Sequence, residues 1–243
     1  MIENLGNQGI SGIDVSAWQP HVDWQKVAAS GNRWAIIKAT EGATYKSPTF
    51  KAQVDGARVS GLYVGAYHFA RWERDDPEKQ AEHFARELER VFASGPMIAP
   101  VLDLEWCRKG TDPTTGKATY HRRPAAEIAD WSRRFLERLH TLTERTPIVY
   151  TGPSFVRSYL PRIGQSGWDD TQAVAAHPLW VVDYTKGAKA PREVLPGWQW
   201  DFWQWTGSGR VPGVTNGAGR LVDCDQNWFR GSETELALFA GVT

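Results

Sequence analysis

The apolar and polar positions of this chain follow two alternating rhythms. Short apolar runs with the length of buried or half-buried strands occur at Gly12–Ser16, Trp34–Ala39, Leu62–Phe69, Ala99–Glu105, Pro147–Tyr150, Leu179–Asp183, Trp200–Trp205 and Leu221–Asp225. Between the early runs, apolar residues recur at helical spacing. Asp23–Ser30 carries Asp23 as a cap, and Phe50–Ser60 stops at Gly61. Asp76-Pro77 opens a longer segment whose stripe is Ala81, Phe84, Ala85, Leu88, Val91 and Phe92, ending near Gly95-Pro96. Ala125–Thr143 uses Ile128, Trp131, Phe135, Leu139 and Leu142 in the same way. Ser154–Leu160 reads as a short helix and Thr234–Ala240 as a closing one, while the spacing weakens between them.

Strands that alternate with helices imply parallel pairing through right-handed crossovers, and eight of them in 243 residues imply a closed barrel rather than an open sheet. The last three strands are joined by loops, so the barrel is irregular. The prediction is a single α/β domain, a TIM-like barrel over residues 12–243, behind an N-terminal tail over residues 1–11 in which Met1 to Gln8 is polar. There is no internal repeat and no Pro/Ser-rich linker. Cys107 to Pro124 is longer and more polar than an ordinary βα connection, with Arg108, Lys109, Lys117, Arg122 and Arg123 against Asp112, and reads as a solvated loop.

Composition narrows the function. Lys plus Arg equals Asp plus Glu at 28 each, so nothing global points to nucleic acid or an anionic membrane. No apolar run reaches transmembrane length and no basic-plus-apolar leader is visible. Cys107 and Cys224 are too few for a disulfide framework or a thiolate zinc site, leaving at most one bridge. Thirteen Trp residues are many for this length, and are expected to divide between core and sugar-stacking or base-stacking platforms.

The run Pro100-Val101-Leu102-Asp103-Leu104-Glu105 ends in two carboxylates that share a strand face. Buried together they repel and lose hydration, which holds a proton on one of them near neutral pH. Active sites of β/α barrels lie at strand C-termini. Collecting the polar residues there gives Asp14, Glu41, His68, Asp103, Glu105, Tyr150, Asp183, Gln204 and Asp225. Such a rim suits glycoside hydrolysis, which needs a carboxylic acid for the leaving oxygen and negative charge beside an oxocarbenium-like transition state, with no metal or cofactor. A mixed metal site of Asp14, His68, Asp103 and Asp225 is the competing arrangement, though poor in imidazole. No Gly-x-Ser-x-Gly elbow or phosphate loop follows a strand, and Cys107 has no assignable base.

Gly12-Ile13-Asp14-Val15-Ser16 with Trp18-Gln19, Ile37-Lys38-Ala39-Thr40-Glu41-Gly42, Gly65-Ala66-Tyr67-His68-Phe69, Pro100 to Glu105, Tyr150-Thr151, Leu179-Trp180, Trp203-Gln204-Trp205 and Asp225-Gln226-Asn227-Trp228-Phe229 resemble, in this order, glycoside hydrolase family 25, the Chalaropsis-type lysozymes. The resemblance runs from about Gly12 to Ser232 and implies a barrel of five β/α units plus three strands. It implies Glu105 as general acid, Asp103 as its partner (nucleophile, or orienter of a substrate acetamido group), and Asp14 and Asp225 as further site acids. Tyr67, His68, Glu41, Tyr150, Trp180, Asp183, Gln204 and Trp205 are then expected to bind substrate. Two acids compete for the last position; counting back from Asn227 and Phe229 selects Asp225 over Asp223.

The implied reaction is cleavage of the β-1,4 bond between N-acetylmuramic acid and N-acetylglucosamine in peptidoglycan by a monomer without cofactor. A wall-binding module that kept the groove but lost turnover is the alternative. The place of action is the bacterial wall, reached by secretion or, as the missing leader suggests, by release of a phage-encoded lysin from the host cytoplasm. Contact of the basic segment with anionic wall polymers is the alternative to its reading as a solvated loop.

Overall fold

Each of the eight apolar runs contributes a strand to one sheet in the computed structural model, which describes residues 9–93 and 95–242. In chain order the elements begin β1 (Ile10–Val15), β2 (His21–Val22), α1 (Trp24–Ala29), β3 (Trp34–Glu41), β4 (Tyr45–Lys46) and α2 (Phe50–Val59). They continue with β5 (Tyr63–Phe69), α3 (Pro77–Phe92), β6 (Val101–Asp103), β7 (Arg108–Thr111), β8 (Ala118–Tyr120) and α4 (Ala125–Thr143). The last are β9 (Ile148–Thr151), α5 (Pro153–Tyr159), α6 (Trp168–Ala175), β10 (Leu179–Val182), β11 (Trp200–Thr215), β12 (Leu221–Phe229) and α7 (Glu233–Phe239). The tail expected over Met1 to Gln8 lies outside the described residues, and its boundary at residue 11 is corrected, since Ile10 and Ser11 already pair with Phe229 and Trp228.

The strands run β1-β12-β11-β10-β9-β6-β5-β3, and pairing of β1 with β3 closes the ring. Seven of the eight are mutually parallel; β12 runs antiparallel to both neighbours. The expectation of parallel pairing fails there because β11 passes to β12 through a tight turn, where Asn216 Oδ1 accepts from the amides of Ala218 and Arg220 at 3.0 Å. A turn this short permits only an antiparallel pair.

Period-two alternation separates two cores. Inward side chains Trp34, Ile36, Val101, Ile148, Trp180, Phe202 and Phe229 fill the barrel. Outward ones, among them Ile13, Val15, Ile37, Leu102, Val149 and Val181, pack with residues of the surrounding helices. Gly12 is required by this filling, because a Cβ there would sit 2.2 Å from the Trp34 ring. The barrel floor is closed by α7. Its Leu236 is fully buried in the inner cluster, Phe239 packs edge-on against Phe202 and Phe229 at 5.4 and 5.5 Å, and the carbonyls of Phe239 and Ala240 accept from Ala99 and Met97.

Three further departures from the sequence reading have physical reasons. The basic segment is not an irregular loop but the hairpin β7–β8, whose polar residues leave no apolar alternation to read. Helix α6 buries only Thr171 and Val174, too narrow a stripe to show as a helical period. Cys107 and Cys224 form no bridge; both are buried free thiols, directed at the carbonyls of Ala70 and Asp14.

Since α7 seals the apolar interior through one side chain with no access to solvent, Leu236→Ala should cost about 2–4 kcal/mol. Urea unfolding should show a lower midpoint at unchanged slope.

Candidate active site

Every inward row but that of β10 ends, at the face opposite α7, in a polar or ionisable side chain. These are Asp14 on β1, Lys38 on β3, Tyr67 on β5, Asp103 on β6 with Glu105 two residues on, Tyr150 on β9, Gln204 on β11, and Asp225 and Asn227 on the reversed β12. Asp14, Tyr67, Asp103, Glu105, Tyr150, Trp180, Tyr184, Gln204 and Asp225 line one cavity of about 210 Å³.

The cavity is organised around Asp14. Its Oδ2 accepts from Gln204 Nε2 and Asn227 Nδ2, both at 2.8 Å. Asn227 cannot turn over, because Trp180 Nε1–H, a donor only, meets its Oδ1 at 2.9 Å, and Gln204 presents its NH2 to Asp14 while its Oε1 accepts from the hydroxyls of Tyr150 and Tyr184 at 2.8 and 2.5 Å. Asp14 also shares a hydrogen bond with Asp225, which faces it across the β1–β12 pair. Burial raises both acids. The two amide donors favour charge on Asp14, whereas burial and then the charge of Asp14 push Asp225 up to about 9, so the proton of the pair resides on Asp225. Gly207 permits the close approach, since a Cβ there would lie 3.0 Å from the Tyr184 hydroxyl and 3.1 Å from Asp225 Oδ1.

Asp103 and Glu105 form the second pair. Asp103 is nearly inaccessible, and its Oδ1 has no hydrogen-bond partner. Burial and then the neighbouring Glu105 raise it well above the usual carboxylate range. Glu105 keeps a partly accessible edge, and burial raises it to about 7, with Lys38 pulling down and Asp14 pushing up. The Lys38 ammonium is held at 2.8 Å by Glu41, lies over the Phe69 ring at 4.8 Å, and lowers both acids of the pair. Glu41 is held in turn by Arg71 at 2.8 Å, and Arg71 by Glu73.

The structure thus brings together Glu105, Asp103, Asp14, Asp225, Tyr67, Tyr150, Trp180 and Gln204, and it does not bring the other expected residues to the cavity. His68 points outward, stacked at 5.1 Å on Phe135, with Thr40 at Nδ1 and Gln80 at Nε2, and burial lowers it to about 3. A metal set that includes His68 is therefore not assembled. Asp183 also faces outward; burial opposes its charge, but the Arg192 guanidinium and amide with the Thr185 hydroxyl hold it down at about 2. Glu41 stays outside the cavity, where it holds Lys38 and its charge raises Asp103, and Trp205 lines a different hollow with Arg210 and Trp228. Asp225 lines the cavity, whereas Asp223 lies outside it in an exposed ion pair with Arg210 at 3.0 Å. Not anticipated were Tyr184, in a loop without periodicity, the role of Lys38, and Asn227, whose place in the inward row of β12 was readable from Asp225.

The profile of glycosyl hydrolases family 25 matches residues 13–214, which span the barrel from β1 through most of β11. The chain belongs to this family. It is 32% identical over 235 residues to Lysozyme M1 of Streptomyces globisporus, covering 97% of this chain and 72% of that one. It is likewise 32% identical over 199 residues to the N,O-diacetylmuramidase of Chalaropsis sp, covering 80% and 87%. Among solved structures, the bacterial lysozyme from Streptomyces coelicolor superposes with a TM-score of 0.74 at 30% identity, covering 98% of this chain and 100% of that one. The family 25 chain is accordingly a glycoside hydrolase with an irregular β/α barrel.

Folding holds Asp225 protonated up to about pH 9, whereas unfolding returns it to an ordinary carboxyl, so its burial costs nothing below pH 4 and progressively more as pH rises towards 9. Asp225→Asn keeps a donor towards Asp14 and removes that cost. Thermal melts should show the variant stabilised at pH 8, on the order of a few kcal/mol, and unchanged at pH 3.

Proposed function

We propose that this enzyme is a muramidase that hydrolyses the β-1,4 bond between N-acetylmuramic acid and N-acetylglucosamine in peptidoglycan. The observation that carries the reading is the buried pair Asp103–Glu105, in which Glu105 holds a proton to about pH 7 at the open edge of the cavity. The relatives named as lysozyme and muramidase support the substrate.

Glu105 gives its proton to the leaving glycosidic oxygen as the bond to C1 breaks. The positive charge that develops at the sugar ring faces the Asp14–Asp225 pair, which carries one net negative charge. The unpartnered Oδ1 of Asp103 favours the orienting role over the nucleophilic one. A buried acceptor without a donor of its own is matched to the N–H of the 2-acetamido group, whose carbonyl oxygen can then attack C1 and close a cyclic intermediate. Water opens that ring, and Glu105, now ionised, takes the water's proton. Tyr67 and Trp180 bound the sugar site, and Trp18, 87% exposed on the loop after β1, offers a free ring for stacking further along the glycan. Acting on the wall places the enzyme outside the cytoplasm, by secretion or by release from a lysing host; no helix among the described residues is long and apolar enough to cross a membrane.

Glu105→Gln should reduce release of new reducing ends from purified peptidoglycan about 10²- to 10⁴-fold. Equal activity of the two proteins would refute the assignment, and inactivity of both would favour a wall-binding module.

Activity of the wild type should fall as pH rises through about 7, where Glu105 loses its proton. Lys38→Met removes the cation that lowers Glu105 and should move this alkaline limb to higher pH; an unmoved limb would separate Lys38 from the acid.

A further inference from the structure

The hairpin β7–β8 and its exit to Arg123 carry a formal +4 in a chain whose formal charge is zero. Arg108, Lys109, Lys117 and Arg122 are exposed, and among the described residues none of them lies in an ion pair. The contrast is with the two long helices. On α3 and α4, Arg90, Arg133, Arg134 and Arg138 each meet a carboxylate of their own or a neighbouring helix. The one acid of the hairpin, Asp112, is spent on the turn itself, accepting from the amides of Thr114 and Thr115 at 2.8 and 2.9 Å. A solvated polar loop has no need of such one-sided charge, which repels itself wherever it is not matched.

The hairpin is also fixed to the acid strand. It begins three residues after Glu105. Trp106 packs against Tyr120 at 6.3 Å and against Phe155 at 5.8 Å, and Arg122 lies 4.3 Å over the Tyr159 ring. Arg123 donates to the Trp72 carbonyl at 2.7 Å, and Trp72 Nε1–H donates to the Glu105 carbonyl at 2.8 Å. An anion seated on the hairpin is thus held in a fixed relation to the cavity.

We propose that this hairpin binds a linear poly(phosphodiester) carried by the wall glycan, and so holds the glycan at the cavity. The proposal rests on the wall-hydrolase reading above. The number and spacing of charges select the partner. The four residues of β7 extend roughly 10–13 Å, with Arg108 at the base and Lys117 at the tip, so that one peptide carboxylate would satisfy a single side chain. A chain that repeats a phosphate can engage the cations in series. The acid cavity would repel the same polymer, so the polyanion is confined to the hairpin while the neutral sugar ring enters the cavity.

The test compares the full chain with the triple variant Arg108→Gln, Lys109→Gln, Lys117→Gln, all exposed positions, of which Arg108 also donates to Gly110 and Thr111 within the hairpin, with matched melting curves as the folding control. The probes are soluble poly(glycerol phosphate), walls that carry the phosphodiester polymer, and the same walls stripped of it by hydrofluoric acid. Wild type should bind poly(glycerol phosphate) at least tenfold more tightly than the variant at low salt, with a log–log salt slope steeper by about 2–3, as expected for about one phosphate contact per cation. Both should cleave stripped walls equally, and wild type should cleave intact walls several-fold faster. Equal affinity of the two proteins for the polymer would overturn the proposal, as would wild-type binding to stripped walls as tight as to intact ones, which would assign the hairpin to peptide carboxylates. Failure of both proteins to cleave stripped walls would count against the hydrolase reading alone, because the polymer measurement still decides the hairpin.

Discussion

Four carboxyl groups share the mouth of this barrel, and the cost of ionising them together governs the arrangement around them. Two unit charges at 4 Å repel by about 4 kcal/mol even at an effective dielectric constant near 20, so a cavity of this size cannot hold four free charges. Protons are retained instead, and the surrounding groups decide where. The amides of Gln204 and Asn227 draw the charge of one pair onto Asp14 and leave the proton on Asp225. In the other pair no amide donor reaches Asp103 Oδ1, so the outcome depends on burial, on mutual repulsion and on Lys38. An acid poised near neutrality therefore follows from an asymmetry of donors between two otherwise similar pairs.

Such a site contributes nothing to folding, and stability has to come from the other end of the same strands. The inward rows that finish in Lys38, Asp103 and Gln204 pass over Trp34, Val101 and Phe202 on the way, and α7 closes the floor beneath them. Buried indoles add to this with most of their donors met, the Trp228 Nε1–H being the exception. Trp34, Trp72, Trp131, Trp180, Trp198 and Trp203 each donate to a carbonyl or amide oxygen, which explains how so many tryptophans can be interior. The expected division of Trp between core and platform falls strongly towards core, with Trp18 as the fully open ring.

The barrel was legible because its strands and helices rest on periods the sequence displays, and the four acids because they end those strands, with the family resemblance choosing Asp225 over Asp223, which shares its strand face. The errors within the site came from treating a strand end as one position rather than as two faces. On β5, Gly65 and Tyr67 face inward, so His68 must face the helices; on β10, Trp180 and Val182 face inward, so Asp183 must not. The same parity removes Trp205 next to inward Gln204. Glu41 escapes the rule because the β3–β5 register shifts between Lys38 and Thr40, a bulge that no composition signals. Tyr184 was illegible for a different reason. It reaches the cavity through a hydrogen bond to Gln204, twenty residues away, and such a contact leaves no local pattern.

That register shift also explains why Glu41 matters without touching the cavity. Beyond the bulge, β3 carries Thr40 outward to His68 and leaves Glu41 beside Lys38, where it holds the ammonium at one oxygen and Arg71 at the other. Arg71 is divided in turn between Glu41 and Glu73. A lysine facing two buried acids alone would be drawn fully onto them and would depress both below the range of a useful proton donor. Sharing its charge with Glu41 weakens that pull, and sharing Glu41 with Arg71 keeps Glu41 from cancelling it. The alternating chain Glu73–Arg71–Glu41–Lys38 therefore sets how much positive charge the acids experience, and it does so from outside the space that substrate must occupy.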